Sequence, residues 1–223
     1  MFQRSTARHK FPTRMSYCGG ALNASIPSTS LLTRLHAWLS PADAPRNADL
    51  IFVLAGKVHR KEYALELFRQ GLAPRLLFSV GRYEIRRFSK MPLPVPLDLL
   101  KMAQDVPPPQ RHYFVFFQGQ ETRVEHVPPV RFGTLMEIDA LSRWLAENPN
   151  IRSVLVISSD THLRRIRLCC RALLNPATEL AFLAAPLTIP QQPVSVTTEP
   201  PERQLDLVEL FKLGIYWLLL KIR

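Results

Sequence analysis

Hydroxyl, imidazole and guanidinium groups follow one another closely after an apolar run in the second half of the chain. Ser158 and Ser159 end the run, and His162 and Arg165 lie on the predicted helix 162–174. The free N–H groups at a helix start favour an anion and keep an imidazole neutral, so we expect His162 to be a polar or acid–base group. Arg165 lies one turn further on and can bind a phosphate or carboxylate with two hydrogen bonds. The spacing predicts an anion site in which Ser159 donates a hydrogen bond.

Two earlier loops also place small residues and a cation after predicted strands. Gly56 and Arg60 follow the first strand, and Ser79 and Gly81 close the second. A glycine lets a ligand approach the backbone, and Arg60 supplies positive charge. Neither loop has the glycine spacing of a dinucleotide-binding motif or a P-loop, so the motif alone names no ligand.

A candidate carboxylate lies on the predicted helix 131–147. Glu137 follows Thr134 by three residues, so both side chains can point toward the same end of that helix. We expect Thr134 to donate a hydrogen bond to the ligand. Glu137 would orient the ligand or act as a base.

A purely structural interpretation of the same residues stays open. Asp160 or Thr161 can cap the helix that follows, with His162 packed against the sheet. The loop after the first strand can equally be an ordinary turn, in which Lys57 and Arg60 are solvated bases.

Short apolar runs alternate with helical patterns from residue 49 onward. The predicted strands are 50–55, 75–80, 113–117, 154–158 and 180–184. The predicted helices are 59–70, 97–104, 131–147, 162–174 and 202–222, and residues 123–127 form an extended piece. Parallel strands that are buried on both faces are continuously apolar, as these are. The alternation predicts one doubly wound, three-layer α/β domain around a mostly parallel five-stranded sheet, with ligands bound at the carboxyl ends of the strands.

Composition excludes several classes of protein. The 223 residues have a formal net charge of +11, and 47% of them are hydrophobic. No apolar run approaches the roughly 20 residues that cross a bilayer, and no signal peptide is recognised. Three cysteines, two of them adjacent and none in zinc-ligand spacing, indicate a reducing compartment, a cytoplasmic location and no metal site.

The positive charge is unevenly distributed. Residues 1–46 are predicted to form a basic, partly disordered tail with a short helix near 31–39, and residues 47–223 a single domain that includes the C-terminal helix 202–222. Residues 1–42 contain no Asp or Glu. Because nearly half of the excess charge lies in the tail rather than on one folded face, we expect no specific nucleic-acid binding.

The order of these motifs resembles that of the YdcF-like superfamily. The corresponding segments are 49–56 with Arg60, 71–74, 79–81, 133–137 and 158–165. The resemblance implies a Rossmann-like domain whose cleft gathers most of the residues named above. It also implies a link to bacterial cell-envelope biogenesis, with S-adenosylmethionine or a nucleotide as the cofactor. Val80 and Gly133 stand where the family favours Gly and Asn.

The leading hypothesis is a protein that binds a small anionic molecule, such as a nucleotide, an S-adenosylmethionine-like compound or another phosphate or carboxylate. Its catalytic candidates are His162 and Glu137, and its ligand-binding candidates are Gly56, Arg60, Ser79, Gly81, Thr134, Ser158, Ser159 and Arg165. Whether it is an enzyme stays open. The alternative is a catalytically silent adaptor or a structural protein at a membrane surface. In that case the apolar stretch 213–220 of the C-terminal helix, usually a core element, would form a peripheral membrane or protein contact.

Overall fold

Helices and strands alternate along the chain in a computed structural model that describes residues 31–128, 133–186 and 202–222. The helices are α1 (Leu31–Leu39), α2 (Val58–Arg69), α3 (Ile85–Phe88), α4 (Leu99–Met102), α5 (Gly133–Glu147), α6 (Leu163–Leu173) and α7 (Glu202–Ile222). The strands are β1 (Leu50–Val53), β2 (Leu76–Gly81), β3 (His112–Gln118), β4 (Glu121–His126), β5 (Ser153–Ser158) and β6 (Glu179–Ala184). Residues 1–30 of the predicted tail and residues 131–132 of the predicted helix 131–147 lie outside the described residues.

The six strands form one mixed sheet in the order β4-β3-β2-β1-β5-β6. β1 pairs in parallel with β2 and β5, and β5 pairs in parallel with β6. β3 runs antiparallel to both β2 and β4. The protein is therefore an α/β protein with a mostly parallel sheet flanked by helices.

The prediction of five strands is wrong, because Glu121–His126 is a sixth strand at the edge of the sheet. Residues Gln118 and Glu121 pair across a two-residue turn that contains Gly119, whose φ of 57° suits a tight hairpin. The side chains of β4 are exposed or half-buried along its length. An edge strand of this kind carries charges instead of a continuous apolar run, so the sequence indicated only an extended piece.

Two hydrophobic clusters cover the two faces of the sheet. One joins the sheet to α5 and α6 and includes Phe52, Leu141 and Ile166. The other joins the sheet to α2 and α3 and includes Leu65 and Phe78. Every residue of β1 is buried, as expected for a central parallel strand whose two faces are both covered by helices.

The chain changes direction across the sheet on either side of β1. From β1 it passes through α2 to β2 on one side, and it returns through α5 to β5 on the other side. At such a switch point the loops beyond the carboxyl ends of the strands diverge and leave a crevice.

The helix α7 packs on α6, on α1 and on the 3-10 turn Asp160–His162. The segment after α1 is also held, because Asp43 accepts hydrogen bonds from the backbone N–H of Phe182 and from the Arg167 guanidinium, both at 2.8 Å. Among the described residues, we find no helix that combines the length and the apolar character needed to cross a bilayer.

Candidate functional site

A cavity of about 690 Å³ opens at the carboxyl ends of β1, β2 and β5. Its walls are the loop after β1, the loop after β2 and the first turns of α5 and α6. The predicted site residues that line it are Gly56, Arg60, Gly81, Thr134, Glu137, Ser158, His162 and Arg165. The two others, Ser79 and Ser159, lie behind the lining, where Ser79 donates a hydrogen bond to Glu137 and Ser159 accepts one from Arg60. The structure therefore brings all of the predicted residues to one place.

Glu137 lies at the floor of the cavity in a short chain of hydrogen bonds. Its Oε1 accepts from the backbone N–H of Ala55 at 2.7 Å and from the Ser79 hydroxyl at 2.5 Å. The Ser79 Oγ also lies 2.6 Å from Nε2 of His112, another lining residue. Burial raises the pKa of Glu137, although the hydrogen bonds from Ser79 and Ala55 act in the opposite direction.

This chain of three groups can hold a proton at either end. When Glu137 is ionised, the Ser79 hydroxyl donates to the carboxylate and His112 Nε2–H donates to Ser79. When Glu137 is protonated, its carboxyl group donates to Ser79 and the Ser79 hydroxyl donates to His112 Nε2. Burial lowers the pKa of His112 to about 4, so its ring is neutral at neutral pH. The sequence analysis missed His112, because it lies on an antiparallel strand and follows no recognisable motif.

A second buried carboxylate ties the first two loops together. Oε1 of Glu84 accepts hydrogen bonds from the backbone N–H groups of Gly56 and Gly81, both at 2.9 Å. Its Oε2 accepts from Lys61 Nζ at 2.5 Å, and Lys61 is only 1% exposed. These backbone N–H groups are of the kind that cradle phosphates in other proteins, and here a side chain of the protein occupies them. Sequence reasoning missed both Glu84 and Lys61.

A side chain at Gly56 would strain the loop after β1. Its φ of 132° is a conformation that residues with a Cβ rarely adopt. A Cβ built there would lie 2.8 Å from Nη1 of Arg60. The glycine therefore leaves room for the Arg60 guanidinium, which donates to the neighbouring Ala55 carbonyl oxygen.

Arg60 fixes the state of His162. Its guanidinium donates to the Ala55 carbonyl oxygen at 2.8 Å, to Ser159 Oγ at 3.0 Å and to Nδ1 of His162 at 2.9 Å. Because Arg60 can only donate, Nδ1 accepts and the proton of the neutral ring lies on Nε2. Burial lowers the pKa of His162, although the hydrogen bond to Glu209 acts in the opposite direction.

Glu209 of α7 occupies the other side of His162. Its carboxylate oxygens lie 3.3 Å from His162 Nε2, 3.1 Å from Arg165 Nη1 and 3.0 Å from Lys212 Nζ. Burial alone would raise the pKa of Glu209, but the hydrogen bond with His162 and the charges of Arg165 and Lys212 lower it to about 2. Both ring nitrogens of His162 are therefore engaged within the protein. Glu209 was not among the predicted site residues.

Two buried donors in the lining have no partner among the described residues. They are the hydroxyl of Ser158 and the Nε–H of Arg165. Buried polar groups in folded proteins are almost always hydrogen-bonded. These two donors could therefore bind an oxygen atom of a molecule that enters the cavity.

Positive charge exceeds negative charge around the cavity. Its cationic lining side chains are Lys57, Arg60, Arg82, Arg87, Arg111 and Arg165, against the carboxyl groups of Glu84 and Glu137. Within the described ranges, no group of three His, Cys, Asp or Glu side chains could hold a metal ion. The arrangement suits an anionic molecule held by side chains.

Comparison of the chain with protein-family models, with curated proteins and with solved structures found no match.

Proposed function

We propose that this protein binds a small phosphate- or carboxylate-bearing molecule in the cavity beyond β1, β2 and β5, and that it is a divergent YdcF-like protein. The observation that carries the proposal is the pair of unpartnered buried donors, Ser158 Oγ and Arg165 Nε, in a lining with an excess of positive charge. A volume of about 690 Å³ is in the range of sites for nucleotide-sized ligands.

The charge of the lining favours a phosphorylated ligand over S-adenosylmethionine, which carries a net positive charge. Because Glu84 already accepts from the N–H groups of Gly56 and Gly81, the ligand's anionic group is held by side chains. Arg165 and Ser158 contact it at depth, and Arg82 and Arg87 contact it at the mouth. A role in cell-envelope biogenesis rests on the family resemblance alone.

Glu137 is the better placed of the two acid–base candidates. It lines the cavity, and burial raises its pKa, a perturbation that is common among acid–base groups at functional sites. His162 acts in this way only after Glu209 has left its Nε2. His112 joins the set as the far end of the chain through Ser79.

Replacing Ser158 tests the binding site directly. The Ser158→Ala variant loses a hydroxyl that has no partner, so the free protein should be as stable as wild type or more so. Its response to the ligand should fall. The measurement is a thermal-shift series with inorganic pyrophosphate, nucleoside diphosphates, sugar phosphates and S-adenosylmethionine. A compound at 100 times its dissociation constant stabilises wild type by about 2.7 kcal/mol.

Ser142→Ala is the matched control. Ser142 donates a hydrogen bond to the carbonyl oxygen of Leu173 at 2.7 Å, away from the cavity. The control should lose some stability and keep the full response to the ligand. The proposal fails if no compound stabilises wild type, or if Ser158→Ala responds as wild type does.

A catalytically silent adaptor is the second candidate, and the engagement of both His162 ring nitrogens favours it. Such a protein would bind the ligand without converting it. Product analysis of each bound compound after prolonged incubation distinguishes the two. Turnover that is lost in Glu137→Gln, with binding retained, supports an enzyme; binding without turnover in wild type supports the adaptor.

A further inference from the structure

The two sides of α7 differ sharply in their surroundings. Glu209 and Tyr216 are buried against the body of the protein. The opposite side exposes large apolar side chains, with Phe211 at 71% and Ile222 at 76%. We call this the apolar face of α7, and its members are Leu207, Val208, Leu210, Phe211, Trp217, Leu218 and Ile222.

The apolar face is continuous along the helix. At 3.6 residues per turn, its members cover about half of the circumference. Among the described side chains of α7, only Gly214 and Lys221 interrupt the arc. A contiguous apolar surface of this extent on a folded protein marks an interaction site for a membrane or for another protein.

Arginines lie along one edge of the apolar face. A groove of about 420 Å³ runs between α6 and α7, and its lining includes Arg164, Arg167 and Arg171 beside Leu210 and Trp217. Among the described residues, one carboxylate pairs with these arginines, that of Asp43 with Arg167 at 2.8 Å. The edge therefore keeps an excess of positive charge.

Aromatic rings and cations alternate at this edge. The guanidinium of Arg164 lies 4.2 Å from the ring centroid of Trp38, and the ammonium of Lys221 lies 4.1 Å from that of Trp217. Tryptophan beside a basic residue is the pairing found where a helix lies at the boundary between lipid headgroups and acyl chains.

We propose that the apolar face of α7 docks on an anionic lipid bilayer surface, with the α6 arginines on the headgroups. This proposal goes beyond ligand binding in the cavity and does not depend on it. Charge argues against two other occupants, a second copy of the chain and residues 1–30. A second copy of the chain would bring like charges together, and residues 1–30 carry basic residues and no Asp or Glu.

Sedimentation of the full chain with lipid vesicles tests the proposal. Vesicles of phosphatidylcholine with phosphatidylglycerol should carry the protein down, and those of phosphatidylcholine alone should carry down much less. Arg171→Glu should reduce this preference for the anionic lipid. The double variant Phe211→Ser/Leu218→Ser should lower the partition coefficient by about tenfold, because it removes two apolar side chains from the contact.

The control variant is Leu100→Ser/Met102→Ser, which changes two exposed apolar residues on α4 and should bind as wild type does. No binding of wild type to anionic vesicles would overturn the proposal. Equal binding of wild type and Phe211→Ser/Leu218→Ser would also overturn it and assign the attraction to the basic residues 1–30. So would a dimer in sedimentation velocity that this variant dissociates, because a second copy would then cover the face.

Discussion

Single residues in the cavity differ by whether their polar atoms already have a partner. Both carboxylate oxygens of Glu84 accept hydrogen bonds from the protein. Glu209 lies beside His162 and Arg165, but its Oε2 accepts no hydrogen bond, and neither Ser158 Oγ nor Arg165 Nε has a hydrogen-bond partner among the described residues. Arg60 is intermediate, because three of its five N–H groups are used. In the proposed site these unpaired atoms are the ones available to a ligand, and residue type alone does not show which atoms they are.

His112 should make the protein sensitive to acid. Its pKa is about 4 in the folded state and about 6.5 when unfolded, so the unfolded state takes up a proton first as the pH falls. Stability is fully present above pH 6.5 and is lost progressively down to about pH 4. The loss should reach about 3 kcal/mol, measured by urea unfolding at several pH values.

His112→Gln should remove most of this loss, since glutamine does not titrate. His126→Gln is the control, because His126 is exposed and its ring contacts the carbonyl oxygen of Gln110 and the ring of Tyr113. Its charge makes only the smallest contribution to the lowered pKa of His112, so this variant should keep most of the pH dependence. If His112→Gln keeps the wild-type pH dependence between 6.5 and 4, the neutral buried state of His112 is wrong.

Spacing grouped the candidate residues at one cavity because most of them lie at the end of a parallel strand or in the loop and helix turn that follow it. The partners of those residues were missed for a physical reason. Glu209 reaches His162 across 47 positions of sequence, and Glu84 reaches Lys61 across 23. Nothing local to a charged residue distinguishes one that is solvated from one that is buried against a distant cation.

At the scale of elements, α7 is attached to the protein by a few charged contacts and by one apolar stripe. Tyr216 packs over the Arg165 guanidinium at 5.2 Å, and Glu209 pairs with the same group. Because Glu209 contacts both His162 and Arg165, the docking of α7 depends on the cluster around Glu209.

Glu209→Gln should loosen α7. The change leaves the buried Arg165 without its counter-charge, which costs about 3 kcal/mol when a buried pair is broken. Hydrogen exchange should speed up in α7 and in the 160–162 turn, with little change in β1. Glu66→Gln, an exposed glutamate on α2, should leave exchange unchanged. Unaltered exchange in α7 of Glu209→Gln would show that apolar packing alone holds the helix.

The central strands of the sheet could be predicted because each has a local sequence pattern that is typical of a buried strand. β1, β2, β3, β5 and β6 are buried apolar runs, and the helices between them have a clear apolar stripe. The direction of β3 could not be deduced, because an apolar run looks the same in either orientation. Only pairing with β2 and β4 decides it.

At the scale of the whole molecule, the net charge of +11 is divided among separate places. Cations line the cavity, others lie beside α7, and a further set lies in residues 1–30. Nucleic-acid binding proteins instead concentrate charge along one continuous surface that follows the phosphate backbone. The absence of specific nucleic-acid binding therefore stays a prediction.

A short DNA duplex should bind weakly and only at low salt, with a dissociation constant of about 10 µM or weaker. Fluorescence anisotropy across a salt series measures this. Neutralising Arg4, Arg8, Lys10 and Arg14 by glutamine should remove the low-salt binding. Tight binding that persists at physiological salt would contradict the expectation.

The position of β1 in the sheet has a consequence for synthesis on the ribosome. Leu50 pairs with Val154, so one edge of β1 waits for about a hundred further residues to be made before β5 can cover it. Until then an apolar strand exposes unpaired N–H and C=O groups, which invites association with other chains. The nascent protein should therefore depend on a chaperone that shields β1, and the cavity forms only after β5 has paired.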